Sequence, residues 1–432
     1  MLSKIFRFLW GDLTKEDLCK FGLLSGALFF IVGSYWMLRT MKNAIFIKMV
    51  GSMYLPYAKM FSVVFLICLI IFYAKLVDWL KKHKLIYVMA SAYAIIFIVI
   101  SFLLQHPTIG LANTVISKYR LLAWISYFVI ESFGSLVVAL FWSFVASSVH
   151  QKEAKKGYPV ILFGAQFGSV LGNIVDLQAS KTGLPWLFFV AGCCVFIVPL
   201  IIKFFMKKYS HKMPAKTEER KATGPIEGLR LLISRPYLLG ILAVSTLYEI
   251  MATILDYQMN SLVDKTYHTV EQATEFLATY GLSANILALT FLFIGTSIFI
   301  RRLGLTFCLV AFPCIIALAV CLTWIHPVLW TFFGAMIAIK GFTYSLNNPA
   351  KEIMYLPTSK DVKFKAKSWI DVFGARSAKG TGSLVTASFP VLSQLLVYGS
   401  LISLGVIGFW IVIAIYVGTT NKKLVAQNQI IS

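Results

Sequence analysis

Residues Tyr344 to Ser383, YSLNNPAKEIMYLPTSKDVKFKAKSWIDVFGARSAKGTGS, form a charged interval in an otherwise apolar region of the chain. Its charged residues are Lys351, Glu352, Lys360, Asp361, Lys363, Lys365, Lys367, Asp371, Arg376 and Lys379. The apolar runs around it are long enough to cross a bilayer, which takes about 20 residues. Because charge at membrane depth is costly, charged residues retained there mark a functional site by default. The segment therefore predicts a membrane protein with a charged site.

The composition extends this prediction to the whole chain of 432 residues. Hydrophobic residues make up 59%, charged residues 13%, and the mean hydropathy is +0.79, outside the range of soluble domains. Apolar runs begin near Phe21, Tyr54, Leu85, Leu121, Tyr158, Leu184, Tyr237, Ala273, Leu303, Val328, Ile370 and Tyr398. The sequence thus predicts an all-α polytopic membrane protein with twelve transmembrane helices in two six-helix halves.

The net charge of +22 does not indicate a nucleic-acid partner, because the basic residues cluster on one side of the predicted membrane. With the N-terminus inside, most Lys and Arg fall in inner segments, as the positive-inside rule requires. The outer segments carry only Lys48, Lys59, Lys118, Arg120, Lys181 and Lys265. We therefore expect both termini in the cytoplasm and the lipid bilayer as the surrounding partner.

The longest polar interval separates the two halves. We expect an amphipathic N-terminal segment at 1–20, a six-helix bundle at 21–206, a cytoplasmic linker at 207–235, a second bundle at 236–420 and a cytoplasmic tail at 421–432. No signal peptide is evident at the N-terminus. The seven cysteines lie almost entirely in apolar runs without the paired spacing of a zinc or redox site. The sequence predicts no metal and no cofactor.

Span 1 carries basic residues late in its apolar run. Arg39, Lys42 and Asn43 share one helical face with Tyr35. Long basic side chains near a span end also snorkel to the interface, but this grouping favours the lining of a cavity. In span 4, Glu131 lies well inside the membrane. It requires either a basic partner or a proton, or it makes a static interhelical hydrogen bond.

Span 7 occupies the corresponding position in the second half. Glu249 and Asp256 return to nearly the same face, and Asn260 follows one turn later. Corresponding spans of two related halves are where transporters build a central site. We expect these acids to oppose the basic face of span 1, although Glu249 alone is equally consistent with a static ion pair. In span 5, Gly164, Gly168 and Gly172 predict close helix packing.

Span 11 combines Arg376 and Lys379 with Gly380 and Gly382. Basic residues beside glycine and hydroxyl side chains suit an anionic, phosphate-bearing ligand. The pattern is not a P-loop, because Ala378 precedes Lys379 and the earlier spacing is wrong. It therefore predicts phosphate binding, and nothing in it predicts nucleotide hydrolysis.

At these residues the chain resembles the nucleotide transporter family, the ATP/ADP translocases of obligate intracellular bacteria and plastids. The resemblance runs along nearly the whole chain and is most specific at its C-terminal block. It rests on Trp10, Glu16, Lys20-Phe21, Leu38-Arg39, Lys42-Asn43, Glu131-Ser-Phe-Gly-Ser, Phe141-Trp142, Asp256, Tyr344-Ser-Leu, Pro349-Ala-Lys-Glu, Tyr355-Leu-Pro, Lys365-Ala-Lys, Ile370-Asp-Val and Lys379-Gly-Thr-Gly.

The resemblance implies a major-facilitator-like fold and exchange of ATP for ADP by alternating access, in a bacterial inner membrane and as a monomer. It implies functional roles for Lys42, Glu131, Asp256 and Lys379. Asn43 stands where the family has aspartate, and Asn260 where it has lysine. If those family residues pair, this chain has replaced an ion pair by two amides with no change in net charge.

The leading prediction is counter-exchange, with nucleotide phosphates bound by Arg39, Lys42 and Lys379. Proton-coupled import of nucleotides, or of a related metabolite such as NAD, is the alternative, with Glu131 or Glu249 carrying the proton. A membrane enzyme or a lipid flippase is disfavoured, because the six histidines form no catalytic constellation with a nucleophile. A mitochondrial-type carrier is excluded, because its repeated Pro-x-acid-x-x-basic motif occurs once, at Pro225 to Arg230.

Overall fold

The structure is a computed structural model that describes residues 14–79, 82–149, 151–210, 230, 232–294, 304–359, 367, 369–370, 374–389, 391–427 and 429. Its principal helices are α1 Lys15–Met49, α2 Leu55–Trp79, α3 Lys82–Leu104, α4 Leu121–Ser148, α5 Gln151–Asp176, α6 Leu184–Tyr209, α7 Pro236–Thr266, α8 Val270–Ile294, α9 Leu305–Ile325, α10 Leu329–Phe342, α11 Ala375–Ala387 and α12 Ser400–Ala426. Each of the twelve falls on one predicted span, so the all-α membrane fold is confirmed.

Within the described residues, nine helices are long and apolar enough to cross a membrane. The three predicted spans outside this set correspond to α8, α10 and α11. The described part of α11 has 13 residues, and α10 has 14 residues and ends where the chain changes to π-helical geometry. The helix order is therefore consistent with twelve crossings.

Local sequence signals set several helix ends. Thr14 and Asp17 form a reciprocal capping box at the start of α1, which satisfies backbone N–H groups that lack helical partners. α6 and α9 follow Gly183 and Gly304, whose φ angles are +77° and +81°, values that glycine adopts without steric strain.

The chain divides into two compact units. The first contains Met1–Gly51, Val64–Glu219 and Tyr267–Asn285. The second contains Ser52–Val63, Arg220–Thr266 and Ile286–Ser432. The domain limits expected from the sequence stay a prediction. Most of the expected amphipathic segment (1–20), most of the linker (207–235) and residues 360–366 of the inner loop lie outside the described residues.

Close contact between α1 and α5 organises the first unit, and the glycine stripe of α5 makes it possible. A Cβ atom on Gly172 would lie 2.3 Å from the carbonyl oxygen of Gly33, and one on Gly168 would lie 2.4 Å from that of Phe29. Gly164 meets Ser25 in the same way. The backbones touch where side chains are absent, which confirms the packing role predicted from the spacing of four.

The second unit packs α7 against α11 and α12. A Cβ atom on Gly382 would lie 2.9 Å from the Ile250 carbonyl oxygen, so α11 approaches the backbone of α7. The Tyr237 hydroxyl donates to the Met354 carbonyl oxygen over 2.7 Å and accepts from Asn421 Nδ2 over 2.7 Å. These contacts fix α7, which carries Glu249 and Asp256, against α12 and against the helical segment that ends at Met354.

The charged interval that runs from Tyr344 to Ser383 begins within a π-helical turn. α10 ends at Phe342, Thr343–Asn347 adopts π geometry, and Asn348–Met354 continues as α-helix. Within the described part of the chain, Ser345 Oγ and Asn347 Nδ2 in this turn are buried and have no hydrogen-bond partner. π turns inside helices occur frequently at functional sites.

Candidate functional site

In the first unit, Lys42 of α1 and Glu131 of α4 form an ion pair. The Lys42 Nζ and Glu131 Oε2 atoms are 2.6 Å apart. The Lys42 side chain is 6% exposed, whereas that of Glu131 is 34% exposed. The intramembrane acid therefore has the basic partner that its position required, and a solute that reaches Glu131 also reaches the pair.

Aromatic side chains hold the basic face of α1. The Lys42 ammonium lies 4.2 Å from the centre of the Tyr127 ring, and the Arg39 guanidinium lies 4.7 Å from that of Trp36. Such cation–π contacts orient the cations without neutralising them. Tyr35 packs directly over Gly134, where a Cβ atom would lie 2.2 Å from the ring. The glycine of the Glu131-Ser-Phe-Gly-Ser motif thus makes room for the tyrosine on the basic face.

A second lysine–glutamate pair joins α1 to α5 further toward the N-terminus. Lys20 Nζ lies 2.7 Å from Glu153 Oε2, and the two side chains are 7% and 38% exposed. This distance and these exposures nearly match those of Lys42 and Glu131. Substitution of Glu153 is therefore a matched control for substitution of Glu131.

In the second unit, Asp256 of α7 pairs with Lys59 of α2, with 2.6 Å between Oδ2 and Nζ. Their side chains are 23% and 18% exposed. Asn260 Nδ2 donates to the Asp256 carbonyl oxygen over 2.7 Å, while Asn260 Oδ1 is buried and has no hydrogen-bond partner among the residues that the structure describes. The same holds for the side-chain oxygen of Asn43 in the first unit.

Glu249, two turns before Asp256, faces α11. Its Oε2 atom lies 3.8 Å from Lys379 Nζ, and the Lys379 side chain is 55% exposed. Arg376 is half-buried one turn earlier. Gly380 has open space where a Cβ atom would stand, whereas Gly382 is filled by α7. Of the two glycines, Gly380 leaves room for a ligand near Lys379.

A cavity of about 540 Å³ lies in the second unit behind the π turn. Its lining is Ser245, Tyr344, Asn348, Pro349, Lys351, Glu352, Tyr355 and Lys367. Lys351 Nζ donates to the Ser245 carbonyl oxygen over 3.0 Å, and Lys367 pairs with Glu352. The most specific block of the sequence resemblance therefore surrounds a polar cavity.

The nine site residues predicted from the sequence thus fall into two groups. Arg39, Lys42, Asn43 and Glu131 lie together in the first unit, and Glu249, Asp256, Asn260, Arg376 and Lys379 lie in the second. Glu131 and Glu249, the predicted proton carriers, both lie within 4 Å of a lysine. Pairing between the basic face of α1 and the acids of α7 stays a prediction.

Two residues escaped the sequence reasoning. Lys59 was assigned only to topology, although it neutralises Asp256. Asp176 received no role, yet it is fully buried at the end of α5. The sequence feature that could have indicated a role for Asp176 is its position three residues after Asn173 at the end of an apolar span.

Comparison with known sequences identifies the family of this chain. The family described as TLC ATP/ADP transporter matches residues 1–422. This chain belongs to that family. It is a multi-pass membrane transporter.

Individual relatives and solved structures are more distant. The chain is 23% identical to ADP,ATP carrier protein 4 of Rickettsia conorii, over 90% of this chain and 88% of that protein. It is 22% identical to ADP,ATP carrier protein 1 of Rickettsia prowazekii, over 90% and 89%.

Two solved transporters show the fold. A bacterial homologue of the iron transporter ferroportin superposes with a TM-score of 0.65 at 14% identity, covering 94% of this chain and all of that one. The nucleoside transporter NupG gives 0.62 at 13% identity, covering 93% and 99%. These likenesses confirm the predicted major-facilitator-like architecture.

Proposed function

We infer that this protein exchanges ATP for ADP across a membrane by alternating access. The observation that carries the inference within the family is the Lys42–Glu131 pair. Lys42 is buried to 6% exposure and is neutralised over 2.6 Å by a carboxylate that remains accessible. A buried lysine without a counter-charge is costly, so the carboxylate stands in for an anion when the site is empty.

Nucleotide phosphates compete with the acids for the same lysines. A phosphate that binds Lys42 releases Glu131, and a phosphate at Lys379 weakens the already long contact with Glu249. Charge-assisted hydrogen bonds from lysine to phosphate replace those to carboxylate. Loading changes which charges are paired, and a ligand shifts a conformational equilibrium only through such differences between states.

Arg39 and Arg376 flank these lysines and supply planar, bidentate donors for further phosphate oxygens. Asn43, Asp256 and Asn260 complete the substrate-binding set. In this proposal the inner, cytoplasmic side holds both termini, the membrane is a bacterial inner membrane, and the monomer surrounded by lipid is the working unit. The protein carries nucleotides without hydrolysing them.

Uptake of labelled ATP by intact bacterial cells expressing the protein tests the proposal. ATP and ADP should compete with the label, and a panel including AMP, GTP and NAD ranks the other substrates. Control cells that carry the empty vector define the background. Uptake of labelled ATP no greater than in the control cells, together with uptake of labelled NAD by the same expressing cells, would replace ATP/ADP exchange with transport of the dinucleotide.

A further inference from the structure

Asp176 is a buried acid that the exchange mechanism does not use. It ends α5, and its exposed fraction is 0%. Its Oδ2 atom contacts Thr40 Oγ1 of α1, and its Oδ1 atom has no hydrogen-bond partner. One turn earlier, Asn173 is also fully buried, with Oδ1 unpaired. Two oxygens of this cluster thus accept no hydrogen bond within the described residues.

The hydrogens at this cluster can be counted. The Thr40 hydroxyl carries one hydrogen, but Oγ1 lies within reach of both Asp176 Oδ2 and the Met37 carbonyl oxygen, which is 2.8 Å away. A proton on Asp176 resolves the conflict, because Asp176 then donates to Thr40 and Thr40 donates to Met37. An ionised Asp176 would take the single Thr40 hydrogen and leave Oδ1 as a buried, unpaired anionic oxygen, which is costly.

The surrounding charges do not supply a counter-ion. Close in sequence to the Thr40, Asp176 and Gly281 contacts, the charged groups are Arg39 and Lys42 on α1, Lys181 after α5, and Glu271 and Glu275 on α8. The titratable tyrosines nearby in sequence are Tyr35 on α1 and Tyr280 on α8. Among the described residues, no basic nitrogen lies within ion-pair distance of Asp176. Lys42 is engaged by Glu131.

Part of the cover over this cluster comes from α8. α8 meets α5 where a Cβ atom on Gly281 would lie 2.3 Å from Asn173 Oδ1, and Glu275 Oε1 accepts from the Ser180 backbone N–H over 2.8 Å. On the adjacent face of α5, which Asp176 shares, the glycine contacts bind α5 tightly to α1. Displacement of α8 would therefore admit water to the end of α5 while the α1–α5 contact persists.

We propose that Asp176 is a proton-binding site, which holds a proton while it is buried against Thr40 and releases it when the α5–α8 contact at Asn173 and Gly281 opens. At neutral pH an aspartate in water is ionised, so opening and proton release occur together. Acidification on the side of the membrane where α5 ends then favours the closed arrangement, in which α8 contacts α5 at Asn173 and Gly281 and Asp176 keeps its proton. Linkage to one proton changes the equilibrium by at most about tenfold per pH unit.

Infrared spectroscopy of the purified, lipid-reconstituted protein tests the bound proton without any nucleotide, and its result is independent of the proposed exchange function. Protein made with ¹³C-carboxyl aspartate should show an isotope-shifted band of a neutral carboxylic acid at neutral pH. Asp176→Asn should lose this band, and Glu271→Gln should keep it. Thr40→Val should retain the band but move it to the frequency of a carboxyl without a hydrogen-bond acceptor. Absence of a neutral aspartate band in the unmodified protein would overturn the proposal.

The release step, which rests on the proposed function, is tested by nucleotide exchange in cells at varied external pH. The unmodified protein and Glu271→Gln should show the same pH dependence, of at most about tenfold per pH unit. The nucleotide phosphates also titrate near neutral pH, with a second pKa of about 6, so the comparison between variants is the readout. Asp176→Asn, permanently neutral, should show a weaker pH dependence than Glu271→Gln, at the rate that the unmodified protein reaches at its acid limit. The same pH dependence in Asp176→Asn and in Glu271→Gln contradicts release from this site.

Discussion

Replacing Glu131 by glutamine should tighten nucleotide binding while it slows exchange. The substitution removes the carboxylate that lies 2.6 Å from Lys42 Nζ but keeps the size of the side chain. Lys42 remains positioned by the Tyr127 ring at 4.2 Å. The phosphate no longer competes with an internal anion, so the nucleotide-bound state is stabilised relative to the empty state.

The size of the effect follows from the geometry of the pair. A hydrogen bond between charged groups contributes about 1.5–3 kcal/mol, and the 34% exposure of Glu131 favours a value in the lower part of this range. Removing a competitor worth about 2 kcal/mol lowers the dissociation constant about thirtyfold. Exchange should slow, because the empty transporter loses the carboxylate that lies 2.6 Å from the buried Lys42 ammonium and returns through a less stable state.

Calorimetric titration of the purified protein with ADP measures the affinity, and counter-exchange in proteoliposomes measures the turnover. Glu153→Gln provides the matched control, because Glu153 forms a pair of similar length and exposure with Lys20 outside the predicted site. Its ADP affinity should equal that of the unmodified protein. Weaker ADP binding by Glu131→Gln than by Glu153→Gln would refute competition and would mean that the Glu131 carboxylate itself contacts the nucleotide.

Three further predictions concern other parts of the molecule. Lys59→Met and Asp256→Asn should each lower the thermal unfolding midpoint, because each breaks the Lys59–Asp256 ion pair. The double variant should recover part of the loss, with a coupling energy of about 1 kcal/mol. Strict additivity of the two losses would show that the ion pair does not contribute to stability. Gly168→Ala should destabilise the protein by about 1–3 kcal/mol in denaturant titration, because the new Cβ atom meets the Phe29 carbonyl oxygen at 2.4 Å. The control Gly22→Ala, whose Cβ atom would have nothing within 4 Å, should be near neutral. Equal losses of stability would contradict close packing of α5 against α1 at Gly168. Asn43→Asp alone and Asn260→Lys alone should each slow exchange, because each adds a charge where an amide oxygen is buried, and the double variant should recover activity. Single variants with unchanged transport would exclude the proposed replacement of an ion pair by two amides.

The sequence predicted those features that depend on periodicity along one helix. A spacing of four placed Gly164, Gly168 and Gly172 on one face of α5, and the structure brings that face to the α1 backbone. Apolar run lengths predicted the helix order for the same reason, since both are properties of consecutive residues. The need for a partner at Glu131 was also foreseeable, because a lone acid at membrane depth is costly.

Features that depend on distant residues could not be predicted in the same way. Lys59 is 197 positions from Asp256, and its place near a predicted span end suggested only a topological role. Asp176 lies at the end of a span, where acids are ordinarily solvated, and only the packing of α1 and α8 shows that it is buried. The π turn at Thr343–Asn347 shifts the following side chains by a backbone change that no simple sequence pattern specifies.

The most direct test of the central claim is the release of labelled ADP from preloaded proteoliposomes when ATP is added outside. Counter-exchange predicts that external ATP accelerates ADP release above the rate in nucleotide-free buffer, and that external inorganic phosphate alone does not. Release of ADP that does not rise with external ATP, under conditions where the same proteoliposomes take up ATP, would contradict exchange as the function of this transporter.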